Sequence, residues 1–301
     1  MKKKIAHLIY NPTSGPIWNS FKPDNVENYL RNKGWEITSF ATEYQGHAAE
    51  LAKNSAKENI YVVIAAGGDG TINEVVQGLA GSNSILAILP VGTTNVMARD
   101  LKIPLNFQDA LQVIDEGEEG VIDLGLINDR YFVLMAGIGF DGKLISDTNS
   151  GLKKITGMVA FAATSPLTML GNKRSRMSVT LWDESGKKKK IKRTSYQVLV
   201  SNASTYAIDL QVSLGADPND GLLDLDIFKT HKLHKFAWQL ISIAFVTKKS
   251  KEEDVENFKF QKAMIKAEPP MPIQVDGDSY GYTPALIEVR ANFLKVLKPA
   301  F

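Results

Sequence analysis

Gly67, Gly68, Asp69, Gly70 and Thr71 stand directly after the apolar run Ile60–Ala66 and open a helical pattern carrying Ile72, Asn73, Glu74, Val75, Val76 and Leu79. The glycines remove Cβ atoms that would hold a ligand away from the main chain. Loop N–H groups and the following helix N-terminus can then face an anion. A carboxylate at Asp69 would repel bare phosphate, so its presence makes sense with a cation such as Mg²⁺ between them. The chemistry these residues suggest is polyphosphate binding and phosphoryl transfer.

Leu89-Pro90-Val91-Gly92-Thr93-Thr94-Asn95 repeats the plan of strand, glycine turn, hydroxyl and helix start. Alone it reads as an ordinary helix cap; paired with the first loop in one sheet, it reads better as a second phosphate contact. Asn11-Pro12-Thr13-Ser14-Gly15 is a plain turn on its own, raised in standing by its place after the first strand. Gly137-Ile138-Gly139-Phe140-Asp141-Gly142 matches a dinucleotide fingerprint, but residues 151–182 contain neither Asp nor Glu to bind a ribose, and a tight turn is the better reading. Asp217-Pro218-Asn219-Asp220-Gly221-Leu222 reads first as a surface turn and second as a hard-cation site. Asp276-Gly277-Asp278 is either a solvated hairpin tip or the carrier of a general base. Lys187–Lys190 with Lys192 and Arg193 reads first as a solvated hairpin end and second as a patch attracted to an anionic leaflet.

These clusters need elements to position them. Residues 1–122 alternate strand and helix: strands Ile5–Tyr10, Trp35–Ala41, Ile60–Ala66 and Ile85–Pro90, with helices Asp24–Lys33, Gly46–Glu58, Thr71–Leu79 and Thr94–Leu101. That alternation predicts parallel βαβ units with ligands beyond the carboxyl ends of the strands, where three of the turn clusters fall. Residues 123–290 read mainly as antiparallel strands forming a β-sandwich, interrupted by helical stretches near Lys153–Ala163 and Leu233–Val246. The absence of cysteine excludes disulfides and thiolate chemistry and fits a reducing cytoplasm. The net charge of +2 says little about partners, the four histidines lack metal-ligand spacing, and no stretch approaches 18 consecutive apolar residues. Any membrane contact is expected to be peripheral.

Taken together, Asn11–Gly15, Gly67–Thr71 with Asn73-Glu74, Leu89–Thr93, Gly137–Asp141, Asn219–Leu222 and Asp276–Asp278 make the chain resemble the soluble bacterial diacylglycerol kinase and related lipid kinase family over nearly its whole length. The resemblance implies an α/β nucleotide-binding domain of the NAD kinase and diacylglycerol kinase type, to which residues from about 291 to 301 return, and a C-terminal β-sandwich, with ATP and lipid meeting in the cleft. It implies ATP contacts from Asn11, Pro12, Thr13, Ser14, Gly15, Thr42, Gly67, Gly68, Asp69, Gly70, Thr71, Ile72, Asn73, Glu74, Gly92 and Thr93. Asp69 would orient the triphosphate and its Mg²⁺, and Asp278 would accept the proton of the lipid hydroxyl. Asp217, Asp220 and the Leu222 backbone would hold a Mg²⁺ supporting the fold, in place of the turn reading. The expected partners are a membrane lipid substrate and, transiently, the membrane surface, with no nucleic acid and homodimer formation open. Two positions depart from the family pattern. Asp278 stands where the family has Glu, and Val96 stands where members often carry Asp. An NAD kinase and a catalytically silent lipid- or nucleotide-binding module are the rival readings.

Overall fold

The computed structural model describes residues 4–14, 21–140, 142–143, 175–203, 205–206, 210–211, 215–228 and 255–300. The helical stretches expected near Lys153–Ala163 and Leu233–Val246, together with Gly15 and Asp141, lie outside the described residues. The chain forms two compact units: Met1–Leu124 with Thr205–Asp209 and Ala291–Phe301, and Gly125–Ser204 with Leu210–Arg290.

The first unit is built from β1 (Ile5–Tyr10), α1 (Pro23–Asn32), β2 (Glu36–Ala41), α2 (His47–Lys57), β3 (Val62–Gly67), α3 (Asp69–Leu79), β4 (Ile85–Pro90), α4 (Val96–Asp100) and α5 (Phe107–Glu116); β5 (Glu118–Ile127) then leads out of it. Every pairing among β1 to β4 is parallel, in the order β2-β1-β3-β4. Strands β3 and β4 are buried at every residue, as their unbroken apolar sequences require when helices cover both faces of a parallel sheet. The helices supply those covers with apolar stripes: Val26 and Leu30 on α1, and Ile72, Val75, Val76 and Leu79 on α3. Helix α5 was not anticipated from the sequence. Its signals are Asn106, whose side chain accepts from the Gln108 and Asp109 N–H groups, and Ala110, Leu111 and Ile114 at helical spacing.

The remaining strands are β6 (Arg130–Phe132), β7 (Met135–Gly139), β8 (Ser175–Trp182), β9 (Lys188–Ser195), β10 (Gln197–Ser201), β11 (Thr205–Tyr206), β12 (Leu210–Gln211), β13 (Leu223–Phe228), β14 (Val255–Phe260), β15 (Lys262–Glu268), β16 (Pro272–Val275), β17 (Asp278–Tyr282) and β18 (Ala285–Lys298). In the second unit, one antiparallel sheet runs β14-β13-β10-β7-β16-β17. A second antiparallel layer joins β9, β8, β15 and the first residues of β18. Ile138, Val200, Leu225 and Ile273 from one layer and Val179, Ile265 and Ile287 from the other share one buried core, which makes the unit a β-sandwich. The far end of β18 pairs in parallel with β4 in the first unit, through Lys295 and Val296.

The Lys187–Arg193 run begins at a solvated hairpin end, as expected: Lys187 closes the Asp183–Lys187 turn between β8 and β9, and Lys188–Lys190, Lys192 and Arg193 follow on β9, all exposed. Strand alternation splits the run, with Lys188, Lys190 and Lys192 on one face and Ile191 in the core on the other. The Gly137–Gly139 stretch, expected as a tight turn, is the end of buried strand β7. A Cβ on Gly139, where φ is +114°, would lie 2.2 Å from the Tyr196 carbonyl oxygen.

Candidate functional site

In the first unit β1 and β3 are neighbours, and their connections leave on opposite sides, to β2 and to β4. Between them lies the switch point at which open α/β sheets bind ligands. The register pairs Tyr10 with Ala66 and Gly67 with Pro90, so the loops after β1, β3 and β4 emerge along one edge. The Asn11 N–H donates to the Ala66 carbonyl at 3.2 Å, and Thr42 N–H to the Tyr10 carbonyl at 2.8 Å. Asn11 Oδ1 accepts from both the N–H and the hydroxyl of Thr13 at 2.9 Å, and Ser14 N–H donates to the Asn11 carbonyl at 3.2 Å. Asn11 to Ser14 thus form a closed turn, with Pro12 inside it.

The two glycine loops touch main chain to main chain. A Cβ on Gly92 would lie 2.3 Å from the Gly68 Cα, so no side chain fits between them. A Cβ on Gly70 would meet nothing within 4 Å, which leaves open space beside the start of α3. Asp69 ties the loops together: its Oδ1 accepts from the Val96 N–H at 2.7 Å and reaches the Met97 N–H at 3.5 Å, capping α4. Oδ2 of Asp69 carries no hydrogen bond among the described residues and is the oxygen available to a cation. Asn95, left-handed at φ +50°, closes the second loop by exchanging hydrogen bonds with Gly92. The requirement at position 96 is thus for a main-chain N–H, while the Val96 side chain is buried.

Glu74 is bonded to the start of α2. Its carboxylate accepts from the N–H groups of Gly46 at 2.9 Å and Ala48 at 3.2 Å, holding the start of α2. Thr71 and Ile72 are buried in α3, whereas Thr93 is exposed on the second loop. Asn73 is buried too. Its Oδ1 accepts from Gln77, and its Nδ2 has no partner. An unsatisfied buried donor costs about 1–3 kcal/mol, so Asn73 is a strained choice unless a ligand supplies the acceptor. The open cradle and this orphaned donor fit a bound nucleotide polyphosphate.

In the second unit the Asp276-Gly277 pair is the two-residue turn joining β16 to β17, with φ of +45° and +88°. Both values suit the mirror-image turn that Asp-Gly favours in hairpins. The two aspartates differ completely. The Asp276 carboxylate accepts from the N–H groups of Val133, Leu134 and Met135 at 2.8, 3.0 and 2.9 Å, stitching the hairpin to the β6–β7 loop. Burial pushes its carboxyl up to about 6, against the pull of those three donors and of Arg130. Asp278 is partly exposed and pairs with Arg130 Nη2 at 2.8 Å. Arg130 was not singled out in the sequence, and no local motif marks it.

The Asp217–Leu222 turn closes on itself. Asp217 Oδ1 accepts from the Asn219 N–H at 3.0 Å, and Asp220 Oδ1 from the Leu222 N–H at 2.9 Å. Lys259 Nζ sits 2.6 Å from Asp220 Oδ2, 2.9 Å from the Gly215 carbonyl and 3.4 Å from Asp224 Oδ2. With the Lys259 ammonium already bonded to Asp220 Oδ2, the donor set does not fit a divalent cation. The Mg²⁺ expectation for Asp217, Asp220 and Leu222 therefore meets a residue that the sequence reading missed.

Residues 5–127 match the family described as diacylglycerol kinase catalytic domain, and residues 137–298 the family described as YegS C-terminal NAD kinase beta sandwich-like domain. Diacylglycerol kinases from Staphylococcus aureus strains JH9 and Newman are each 41% identical to the chain over 162 residues, which cover 53% of this chain and 51% of theirs. The chain spans about half the length of these curated relatives in that match. Two solved chains from Bacillus anthracis strain Sterne, one described as a diacylglycerol kinase, cover 99% of this chain and 98% of their own at 22% identity, with TM-scores of 0.80 and 0.73. At that identity they establish the fold. The chain belongs to the bacterial diacylglycerol kinase and related lipid kinase family.

Proposed function

We propose that this chain is an ATP-dependent lipid kinase that transfers the γ-phosphate to a hydroxyl of diacylglycerol or a related membrane lipid. The observation that carries the reading is the double glycine loop, with Gly68 against Gly92 and Asp69 capping α4 from the other loop. Phosphoryl transfer depends mainly on positioning and charge stabilisation, and a rigid main-chain cradle provides both. Residues Asn11–Ser14, Thr42, Gly67–Asn73, Gly92 and Thr93 surround the nucleotide in this reading, and Glu74 acts through the α2 loop it caps. Asp69 Oδ2 would hold Mg²⁺, which on binding neutralises charge between the β- and γ-phosphates. Asp278 takes the proton of the attacking hydroxyl, while Asp276 fixes the hairpin that presents it.

Contact with the membrane is peripheral in this proposal, since no helix among the described residues is long and apolar enough to cross a bilayer. The register of β9, β8 and β15 puts Lys188, Lys190, Lys192, Arg176, Lys262 and Lys266 on one sheet face, with Glu268. Part of that face is a groove of about 750 Å³. Each cation near an anionic leaflet is worth about 1 kcal/mol, so the face supports transient adhesion.

The C-terminal family description makes NAD kinase the reading to exclude. Purified protein with labelled ATP, offered diacylglycerol in mixed micelles and NAD in parallel, should place label in the lipid. Label in NADP and in no lipid would overturn the proposal.

A further inference from the structure

We propose that the Lys259 ammonium is the resident cation of the Asp220–Asp224 turn, a tethered substitute for the divalent metal that the motif suggests. Lys259 lies on β14 directly opposite Asp224 on β13, so the sheet register delivers it to the turn. An ammonium has three N–H donors, and three oxygens surround this one: Asp220 Oδ2, the Gly215 carbonyl and Asp224 Oδ2. The two shorter separations, 2.6 and 2.9 Å, lie in the range of charge-assisted hydrogen bonds.

The need for a positive charge there is built into β13. Asp224 is only 2% exposed, and its neighbour on the same strand face is the buried Asp226. Asn257, opposite Asp226, donates to both carboxylates and carries no charge to offset them. Among the described residues Lys259 is thus the cation bonded to this face, and a divalent ion drawn to Asp220 would have to displace it.

The test is the effect of Mg²⁺ on thermal unfolding of the full chain without nucleotide, for wild type, Lys259→Met, Asp220→Asn and the double variant. A metal that binds only the folded state raises the melting temperature by mass action. The wild type should melt at the same temperature in EDTA and in millimolar Mg²⁺. Lys259→Met should melt lower in EDTA and regain about 3–8 °C with Mg²⁺ or Mn²⁺, a gain that the added Asp220→Asn abolishes. A Mg²⁺-dependent rise in the wild type that Asp220→Asn removes would overturn the proposal. That comparison needs only those two proteins, so it decides the matter even if Lys259→Met does not fold. The measurement uses neither ATP nor lipid, and its outcome is independent of the proposed kinase activity.

Discussion

The glycine loops of the first unit and the aspartate hairpin of the second both contain a carboxylate held by main-chain N–H groups. Asp69 gives one oxygen to the Val96 N–H and keeps the other open, beside a loop whose glycines leave free space. Asp276 gives both oxygens to three N–H donors, whereas the carboxylate of the partly exposed Asp278, two residues on, pairs with a side chain, Arg130. The difference teaches how to separate support from chemistry among identical residues. A carboxylate saturated with fixed donors holds the backbone. One with an unsatisfied oxygen, or with a partner that can swing away, is available to react.

Exchanging the two hairpin roles gives the largest expected effect. Asp278→Asn keeps the side-chain shape and removes the base, so kcat should fall by about 10²–10⁴ while ATP affinity and melting temperature stay nearly unchanged. Asp278→Glu should retain activity, because it keeps the carboxylate. Steady-state kinetics on mixed micelles measures both. If Asp278→Asn keeps most of its activity and Asp276→Asn loses it with the fold intact, the roles are reversed.

Asp276→Asn should act on stability instead. An amide retains one acceptor oxygen for three N–H groups and turns a donor toward at least one of them. Stability should drop by about 1–3 kcal/mol, read by denaturant unfolding. Gly92→Ala is the matching change in the first unit, since its Cβ would fall 2.3 Å from the Gly68 main chain. Nucleotide affinity, measured by calorimetry, should fall sharply. Unchanged affinity would show that the close approach of the loops is incidental.

The first unit was far more legible than the second, for reasons of chain distance. Asp69 and Val96 are 27 residues apart, and Glu74 and Gly46 are 28 apart, inside one run of βαβ units whose glycines and apolar strands announce the loops. Asp276 finds Val133 across 143 residues, and Asp278 finds Arg130 across 148. No local pattern encodes such pairings, so the residues alone offered two candidate carboxylates, and only the family resemblance singled out Asp278. Lys259 was hidden in the same way: its role comes from lying opposite Asp224, which needs the sheet register. The basic run was legible as a hairpin end, and only Ile191 marks its alternation into a core. In the first unit, Glu74 was seen but its direction was not, since a capping carboxylate and a ligand carboxylate have the same sequence context.

A smaller effect comes from pH. Burial first, and Asp224 second, push the Asp226 carboxyl up from 3.8 to about 6, against the Asn257 hydrogen bond. A carboxyl raised on folding binds its proton more tightly in the native state. Its contribution is therefore complete below about pH 4 and is lost as pH rises through about 6. Asp226→Asn removes that loss, so the variant should gain on the wild type in melting temperature between pH 4.5 and 7.5. A constant difference across that range would mean that Asp226 titrates normally.

The weakest expected effect concerns the sheet face of β8, β9 and β15, where charge acts through solvent rather than through contacts. Lys188 lies over the Trp182 ring and Lys262 pairs with Glu288, while Lys190 and Lys192 are exposed on the same face. Reversing these last two, Lys190→Glu with Lys192→Glu, leaves the core side of β9 untouched, including Ile191 and the Arg193–Glu256 ion pair. At about 1 kcal/mol per cation, neutralising both alone would weaken binding to anionic vesicles roughly 30-fold at low salt, and reversal should do more. The attraction is screened over about 8 Å at physiological ionic strength, so wild type and variant should converge as salt is added. Activity on diacylglycerol in neutral micelles should not change, which separates adhesion from chemistry. Vesicle sedimentation that is equal for both proteins at low salt would remove this face from membrane contact and leave the glycine loops and hairpin as the parts of the chain tied to function.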